Sequence, residues 1–159
     1  MTEVEIRPSR FGAPVAQKLI DAAQADLAQR YGSGDESPIE PVEFDPPEGA
    51  FLVAWRDGEP VACGGWRTLS YAQDGVSEDI AEIKRMYAVP DARGTGAAQA
   101  LLRALESSAR DAGMRHMWLE TGIRQPEAIA FYTKNGYERI ADYGHYRDYA
   151  GVASFGRTL

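Results

Sequence analysis

The sequence predicts an α/β fold class: helices flanking one mixed, mostly antiparallel central sheet. Two observations carry this. Two apolar runs, Phe51 to Trp55 and Val61 to Leu69, are joined by Arg56-Asp57-Gly58-Glu59, and an Asp-Gly pair between such runs is a strong hairpin signal. From residue 81 onward the pattern changes to strand–helix–strand–helix–strand. The 159 residues are expected to form one domain, residues 1–159, large enough to bury roughly 70 % of the unfolded chain's surface.

In chain order, Val4 to Arg7 alternates as a short first strand. Val15, Leu19, Ala23, Leu27 and Tyr31 recur at helical spacing, so Pro14 to Tyr31 is an amphipathic helix with proline in its first turn. Residues 32–49 are rich in Gly, Pro, Asp and Glu and read as a long loop, with a turn of helix around Ile39 to Phe44. After the hairpin, Tyr71 to Asp79 is a polar connection. Ala81 to Val89 is a strand, with Ile83, Arg85, Tyr87 and Val89 on one face and Glu82, Lys84, Met86 and Ala88 on the other. Ala98, Leu101, Leu102, Leu105, Ala109 and Ala112 form the apolar stripe of a helix that Gly113 ends. His116 to Glu120 is a strand, Pro126 to Asn135 a helix stopped by Gly136, Tyr137 to Ile140 a strand, and the tail at Phe155 to Leu159 a candidate last one.

Composition excludes several classes. The net charge of −7 lacks the basic footprint of a nucleic-acid binder and favours approach of a cationic partner. No window has 18 uninterrupted apolar residues, and the first residues lack the apolar stretch of a secretory signal, so a cytoplasmic location is expected. Cys63 is the only cysteine, which rules out an intrachain disulfide; it reads as a small buried apolar residue. His116 and His145 are not at metal-binding spacing, and no metal is expected.

The segment Arg93-Gly94-Thr95-Gly96-Ala97-Ala98 links a strand to a helix. Glycines let bare backbone N–H groups approach a ligand, and the helix N-terminus adds free donors and a positive dipole end, which together make a pyrophosphate cradle. A plain structural turn is the alternative. A dinucleotide fingerprint would need Gly or Ala where Gln99 stands, and a P-loop would need Lys followed by Ser or Thr.

With this loop the sequence resembles the GNAT N-acetyltransferase superfamily. Its signature, Arg/Gln-x-x-Gly-x-Gly/Ala, is matched by Arg93, Gly96 and Ala98, with Glu82 to Pro90 before it and Ala100-Leu101-Leu102 after it. A second motif, Ala-x-x-Phe/Leu-Tyr-x-x-x-Gly-Phe/Tyr, resembles Ala128 to Tyr137. The resemblance covers residues 51–140 well and implies two splayed parallel strands, here those ending at Val89 and Glu120, with the pantetheine of acetyl-CoA between them. It further implies that backbone groups of Met86, Tyr87 and Val89 pair with the pantetheine amides, that Arg93, Gly94, Thr95, Gly96, Ala97 and Ala98 hold the pyrophosphate, and that the Met86 N–H supports the oxyanion. Tyr132 matches the family's catalytic tyrosine, which would protonate the leaving thiolate and border the cofactor. The sequence departs from the family at Glu127, where many members carry Asn; an ionised carboxylate cannot donate the amide's hydrogen bond.

The attacking amine must lose a proton, which calls for a general base. Glu82 lies eleven residues before Arg93, a spacing that resembles that of the base glutamate in histone-acetylating members, and is expected to share a strand face with Met86. At four residues, about 13 Å along a strand, it would act through water. The alternative is that Glu82 only pairs with a neighbour such as Lys84 or Arg85. Glu120 is the second candidate base.

The expected function is acetyl transfer from acetyl-CoA to a primary amine, on a small molecule rather than a protein. A non-catalytic CoA-binding or acetyl-CoA-sensing module is the alternative. The acceptor would lie against the first helix, the 32–49 loop, the 70–79 connection and the tail. Tyr31, Tyr71, Tyr143, Tyr146 and acids such as Asp35, Glu36, Asp74 and Glu78 there suit a cationic amine. A homodimer is a further expectation from the family.

Overall fold

The computed structural model describes residues 3–69 and 79–159. All but the end of the Tyr71 to Asp79 connection, including Tyr71, Asp74 and Glu78, lies outside the described residues. The elements run β1 (Glu5–Ser9), α1 (Pro14–Tyr31), a 3-10 turn (Pro41–Phe44), β2 (Gly49–Arg56), β3 (Glu59–Thr68), β4 (Ile80–Ala88), α2 (Ala97–Asp111), β5 (His116–Gly122), α3 (Pro126–Lys134), β6 (Glu138–Ile140) and β7 (Val152–Thr158). One seven-stranded sheet has the order β1-β2-β3-β4-β5-β7-β6. Every neighbouring pair is antiparallel except β4 and β5.

The tail strand is longer than the sequence suggested, and it inserts between β5 and β6. Its seven residues pair with the whole of β5, from His116 opposite Thr158 to Gly122 opposite Val152. That partner frees β5 from needing β4 along its full length. The parallel pairing of β4 and β5 spans only Ile80 to Glu82 against His116 to Trp118, and beyond it the strands part.

The two faces of the sheet are covered differently. On one, α2 buries Ala97, Leu101, Leu102, Leu105 and Ala109 against Trp66, Ile83, Met117 and Leu119. Each fully buried leucine contributes roughly 1.5–3 kcal/mol. The Trp66 indole N–H is satisfied by the Ser108 hydroxyl at 3.1 Å, which lets a tryptophan sit in this core. Gly64 admits the close approach of β3 to β4 here: a Cβ would lie 2.8 Å from Met86 Sδ and 3.2 Å from Leu105 Cδ1. On the other face α1 buries Ala16, Leu19 and Ile20 beside a cluster of Phe11, Phe44 and Phe51, with ring centroids 4.9–6.2 Å apart.

A β-bulge in β4 changes the expected side-chain alternation. Cys63 pairs with Tyr87 but Gly65 pairs with Lys84, so Arg85 and Met86 together oppose Gly64. Arg85 takes the left-handed conformation, φ 57°, which costs a non-glycine residue roughly 1–2 kcal/mol. Before the bulge Ile83 faces α2 and Glu82 the opposite side; after it Met86 faces α2 and Tyr87 the α1 side. The expectation that Glu82 and Met86 share a face is therefore corrected: the extra residue puts them on opposite sides of the sheet.

Candidate active site

Past Glu82 and Trp118 the parting strands open a cleft of about 140 Å³. Its lining includes Met86 and Tyr87 from β4, Leu119 and Glu120 from β5, Leu27 from α1 and Tyr132 from α3. A groove of about 320 Å³ continues it along Ala88, Arg93, Gly94, Ala98 and Phe131, sharing Met86, Tyr87 and Tyr132. Most of the residues singled out in the sequence thus come together on one channel. Val89 packs between the two cores instead, with its N–H on the Val61 carbonyl and its own carbonyl taken by the Ala92 N–H, both at 2.9 Å, and the Ala97 side chain is buried, so Ala97 could offer the channel only its backbone.

The loop at the channel's end has the geometry of an anion cradle. Gly94 and Gly96 both have positive φ, 77° and 91°, and a Cβ on either would meet open space. Gly96 is the N-cap of α2. Among the described residues the N–H groups of Gly94, Gly96 and Ala98 have no acceptor in the fold, whereas Thr95 N–H donates to the Ala92 carbonyl at 3.3 Å. The Thr95 hydroxyl also bonds the Ala92 carbonyl, which pins the loop. Arg93 is fixed beside it: its Nε donates to the Ala88 carbonyl at 3.1 Å, and the guanidinium lies 5.7 Å from the centre of the Tyr87 ring. Free donors, a helix N-terminus and a held cation fit a pyrophosphate.

Tyr132 is buried between Phe131 and Tyr137, with ring centroids 5.2 and 5.5 Å away. Burial pushes its phenol above the ordinary range, so it stays protonated throughout the physiological range. Glu127 lies at the groove mouth and forms an ion pair with Arg30 at 2.5 Å. It ties α3 to α1 where an asparagine would have offered a donor. The same α1 end is held by Arg30 Nη1 on the Arg124 carbonyl and Arg124 Nη1 on the Arg30 carbonyl, both at 3.1 Å.

The two candidate bases sit in contrasting environments. Glu82 is 1 % exposed, and its carboxylate accepts from Arg67 Nε at 3.0 Å. The partner is the residue directly across on β3 rather than Lys84 or Arg85. Arg67 also donates to Glu43 at 3.0 Å and to the Pro38 carbonyl at 2.6 Å, so the pair closes a fixed buried network. Glu120 is half-buried, and one of its carboxylate oxygens is shielded from solvent without a hydrogen-bond partner. Burial, opposed by the Lys84 charge and reinforced by Glu82 and Asp35, raises its pKa to about 7. Glu120 borders both the cleft and a second cavity of about 500 Å³ lined by Ser37, Glu43, Arg67, His145 and Arg147.

An ionic hub seen only in part in the sequence closes this side. Asp35 accepts from Lys84 Nζ at 3.2 Å, Arg85 Nη1 at 2.6 Å and the Tyr146 hydroxyl at 2.9 Å. Burial alone would raise its pKa, but Lys84, the bonds from Ser37 and Arg85 prevail and hold the carboxyl well below the usual carboxylate range. Of the tyrosines expected near an acceptor, Tyr143 is instead fully buried, 5.0 Å from the Trp118 ring. Arg67 gave a usable signal that sequence reasoning passed over, a lone charge inside an apolar strand, which implies a buried partner.

A sheet that opens between two parallel strands, with a phosphate cradle at one end and a phenol and carboxylate at the other, is the layout of an acyltransferase. Comparison with known proteins makes the family definite: the model of the acetyltransferase (GNAT) family matches residues 14–137, and the chain belongs to that family. An IAA acetyltransferase of Azospirillum brasilense is 33 % identical over 129 residues, 81 % of this chain and 80 % of that one. An aminoglycoside N(6')-acetyltransferase of Stenotrophomonas maltophilia is 28 % identical over 79 % of this chain and 85 % of its own. Among solved structures, one described as an acyl-CoA N-acyltransferase from Klebsiella pneumoniae has a TM-score of 0.77 at 29 % identity, covering 98 % of this chain and 97 % of that one. A GNAT acetyltransferase of Elizabethkingia anophelis solved with acetyl-CoA bound has a TM-score of 0.68 at 15 % identity, with 98 % of each chain covered, and so shares the fold.

Proposed function

We propose that this enzyme transfers the acetyl group of acetyl-CoA to a primary amine of a small molecule, with Glu120 as general base and Tyr132 as general acid. The observation that carries the reading is the continuity of the channel from the Gly94–Ala98 cradle, past Tyr132, to Glu120 at the border of the 500 Å³ cavity. Acetyl-CoA, bound there, supplies an activated acetyl thioester. The free N–H groups of Gly94, Gly96 and Ala98 bind its pyrophosphate and Arg93 adds a positive charge, as the unpaired donors and positive φ angles support. Tyr87 contributes backbone to the same track, while the Val89, Thr95 and Ala97 N–H groups, bonded to Val61, Ala92 and the Thr95 hydroxyl, hold the loop in shape beside it.

Met86 is the second residue of the bulged pair opposite Gly64; its N–H is assigned to the developing oxyanion of the acetyl carbonyl. The Glu120 carboxylate takes the proton that the attacking nitrogen loses, which a pKa near 7 suits at neutral pH. The Tyr132 hydroxyl gives its proton to the departing CoA sulfur. The acceptor amine enters from the larger cavity, which Glu120 borders. Glu82, locked to Arg67, is assigned to holding that cavity's wall rather than to proton transfer.

The test is acetyl-CoA turnover against a mixed panel of small primary amines, read as free thiol. Turnover that Glu120→Gln abolishes at pH 7 supports the reading. Acetyl-CoA binding with no turnover on any amine would leave a non-catalytic CoA-binding module.

A further inference from the structure

The hub around Asp35 bears on the proposed base. In the β4–β5 register Glu82 pairs with Trp118, so Lys84 and Glu120 are the next residues on that face, at the point where the strands part. Both border the cleft. Lys84 is 6 % exposed, far more buried than a lysine usually is, and its ammonium is gripped by Asp35 at 3.2 Å and by the Ser37 hydroxyl at 2.7 Å.

We propose that Lys84 is a positioning residue whose clamped ammonium, across the splay from Glu120, keeps that carboxylate in its proton-accepting form at neutral pH. This rests on the reading of Glu120 as the base. Without such a charge, the partly buried carboxylate would hold its proton: burial is the largest influence on it, and the neighbouring Glu82 and Asp35 charges act in the same direction. Lys84 is the largest opposing influence, and the Tyr146 backbone N–H, brought close by the Tyr146–Asp35 bond, acts with it. Of the other charges facing this space, Asp26 on the cleft wall is paired with Arg30 at 3.7 Å. Arg67 is divided between Glu82 and Glu43, and Arg85 is paired with Asp35. Glu40, His145 and Arg147 line the outer part of the larger cavity, where water screens them. Asp35 thus has two roles: it holds the lysine in place, and its own charge partly offsets the lysine's effect.

The experiment titrates Glu120 directly and needs no acceptor. Protein labelled with carboxyl-13C glutamate is followed by NMR from pH 4 to 9, with the Glu120 signal assigned as the one missing from Glu120→Gln. The wild-type midpoint is expected near 7. Lys84→Met should move it up by at least one pH unit, and Lys84→Arg, which keeps the charge, should return it to within a few tenths. If Lys84→Met does not fold, Lys84→Gln provides the second arm: it removes the charge, keeps a polar group for Asp35 and Ser37, and should likewise raise the midpoint. An unmoved or lowered midpoint in whichever of these two variants folds, or a Lys84→Arg midpoint that stays with them, overturns the proposal. Failure of the base reading itself would look different: the midpoints would shift as described, yet Glu120→Gln would retain turnover.

Discussion

The two sides of β4 are built from opposite materials. Toward α2 the strand presents Ile83 and Met86 to a dry layer in which Leu101, Leu102 and Leu105 are fully buried. Toward α1 and the 32–49 segment it presents Glu82 and Lys84, each buried and each ion-paired. The apolar side gains free energy in proportion to the area removed from water and accepts many sequences of the same volume. The ionic side gains little net stability, because pairing mainly repays desolvation, but it fixes where charges sit. The difference indicates that α2 holds the sheet together, while the other side sets the electrostatics of the channel. The bulge at Arg85 is the switch between them, since it transfers Met86 from the ionic side to the apolar one.

This contrast can be broken from either side. The largest effect is expected at its apolar pole: Leu105→Ala should cost about 2–5 kcal/mol of unfolding free energy in denaturant titration, with acetyl-CoA affinity of the folded fraction retained. A loss under 1 kcal/mol would mean the α2 layer is not the stabilising one. Next, Tyr132→Phe removes a proton donor and almost no volume, so kcat should drop by roughly 10²-fold while stability and acetyl-CoA affinity stay close to wild type.

The two glutamates sharpen the comparison further, because their substitutions should act with opposite signs. Glu82→Gln weakens the hold on Arg67 and should destabilise by roughly 1–3 kcal/mol. Glu120→Gln should abolish most turnover yet stabilise at pH 8 by on the order of 1–3 kcal/mol. The folded state binds the Glu120 proton more tightly than the unfolded state does, since the pKa is raised from 4.5 to about 7. This group therefore lowers wild-type stability as pH rises from about 4.5 to 7, and the full cost is present above that. The advantage of the mutant should shrink as pH falls through 7 and vanish near 4, which thermal melts across pH would register. The smallest effect concerns the cradle: Gly96→Asp should weaken acetyl-CoA binding at least tenfold, about 1.4 kcal/mol, in calorimetric titration. Unchanged affinity in the folded variant would separate the loop from the cofactor altogether.

Much of this could be read along the chain. The Asp57-Gly58 turn, the α2 stripe, the α1 span from Pro14 to Tyr31 and the strand-to-helix glycine loop all rest on local rules: periodicity, and positions that demand positive φ. The motifs on which the proposed site rests were visible for the same reason, since the glycine loop is six consecutive residues and Tyr132 belongs to a motif of ten. Local rules cannot register an extra residue inside a strand: the bulge that separates Glu82 from Met86 is defined only by what β3 offers opposite it. Nor could they place β7 between β5 and β6, the arrangement that lets β5 leave β4. The partners of Glu82 and Glu120 were beyond the sequence as well. A carboxylate's proton affinity depends on burial and on charges from distant segments, and Arg67, Asp35 and Lys84 meet these two glutamates only when the chain has folded. The sequence by itself determined the elements and where the glycine loop and Tyr132 fall on them, because each is a short-range pattern; the tertiary structure decided that Glu82 is locked to Arg67 while Glu120 borders the cleft, because that depends on contacts across the sheet.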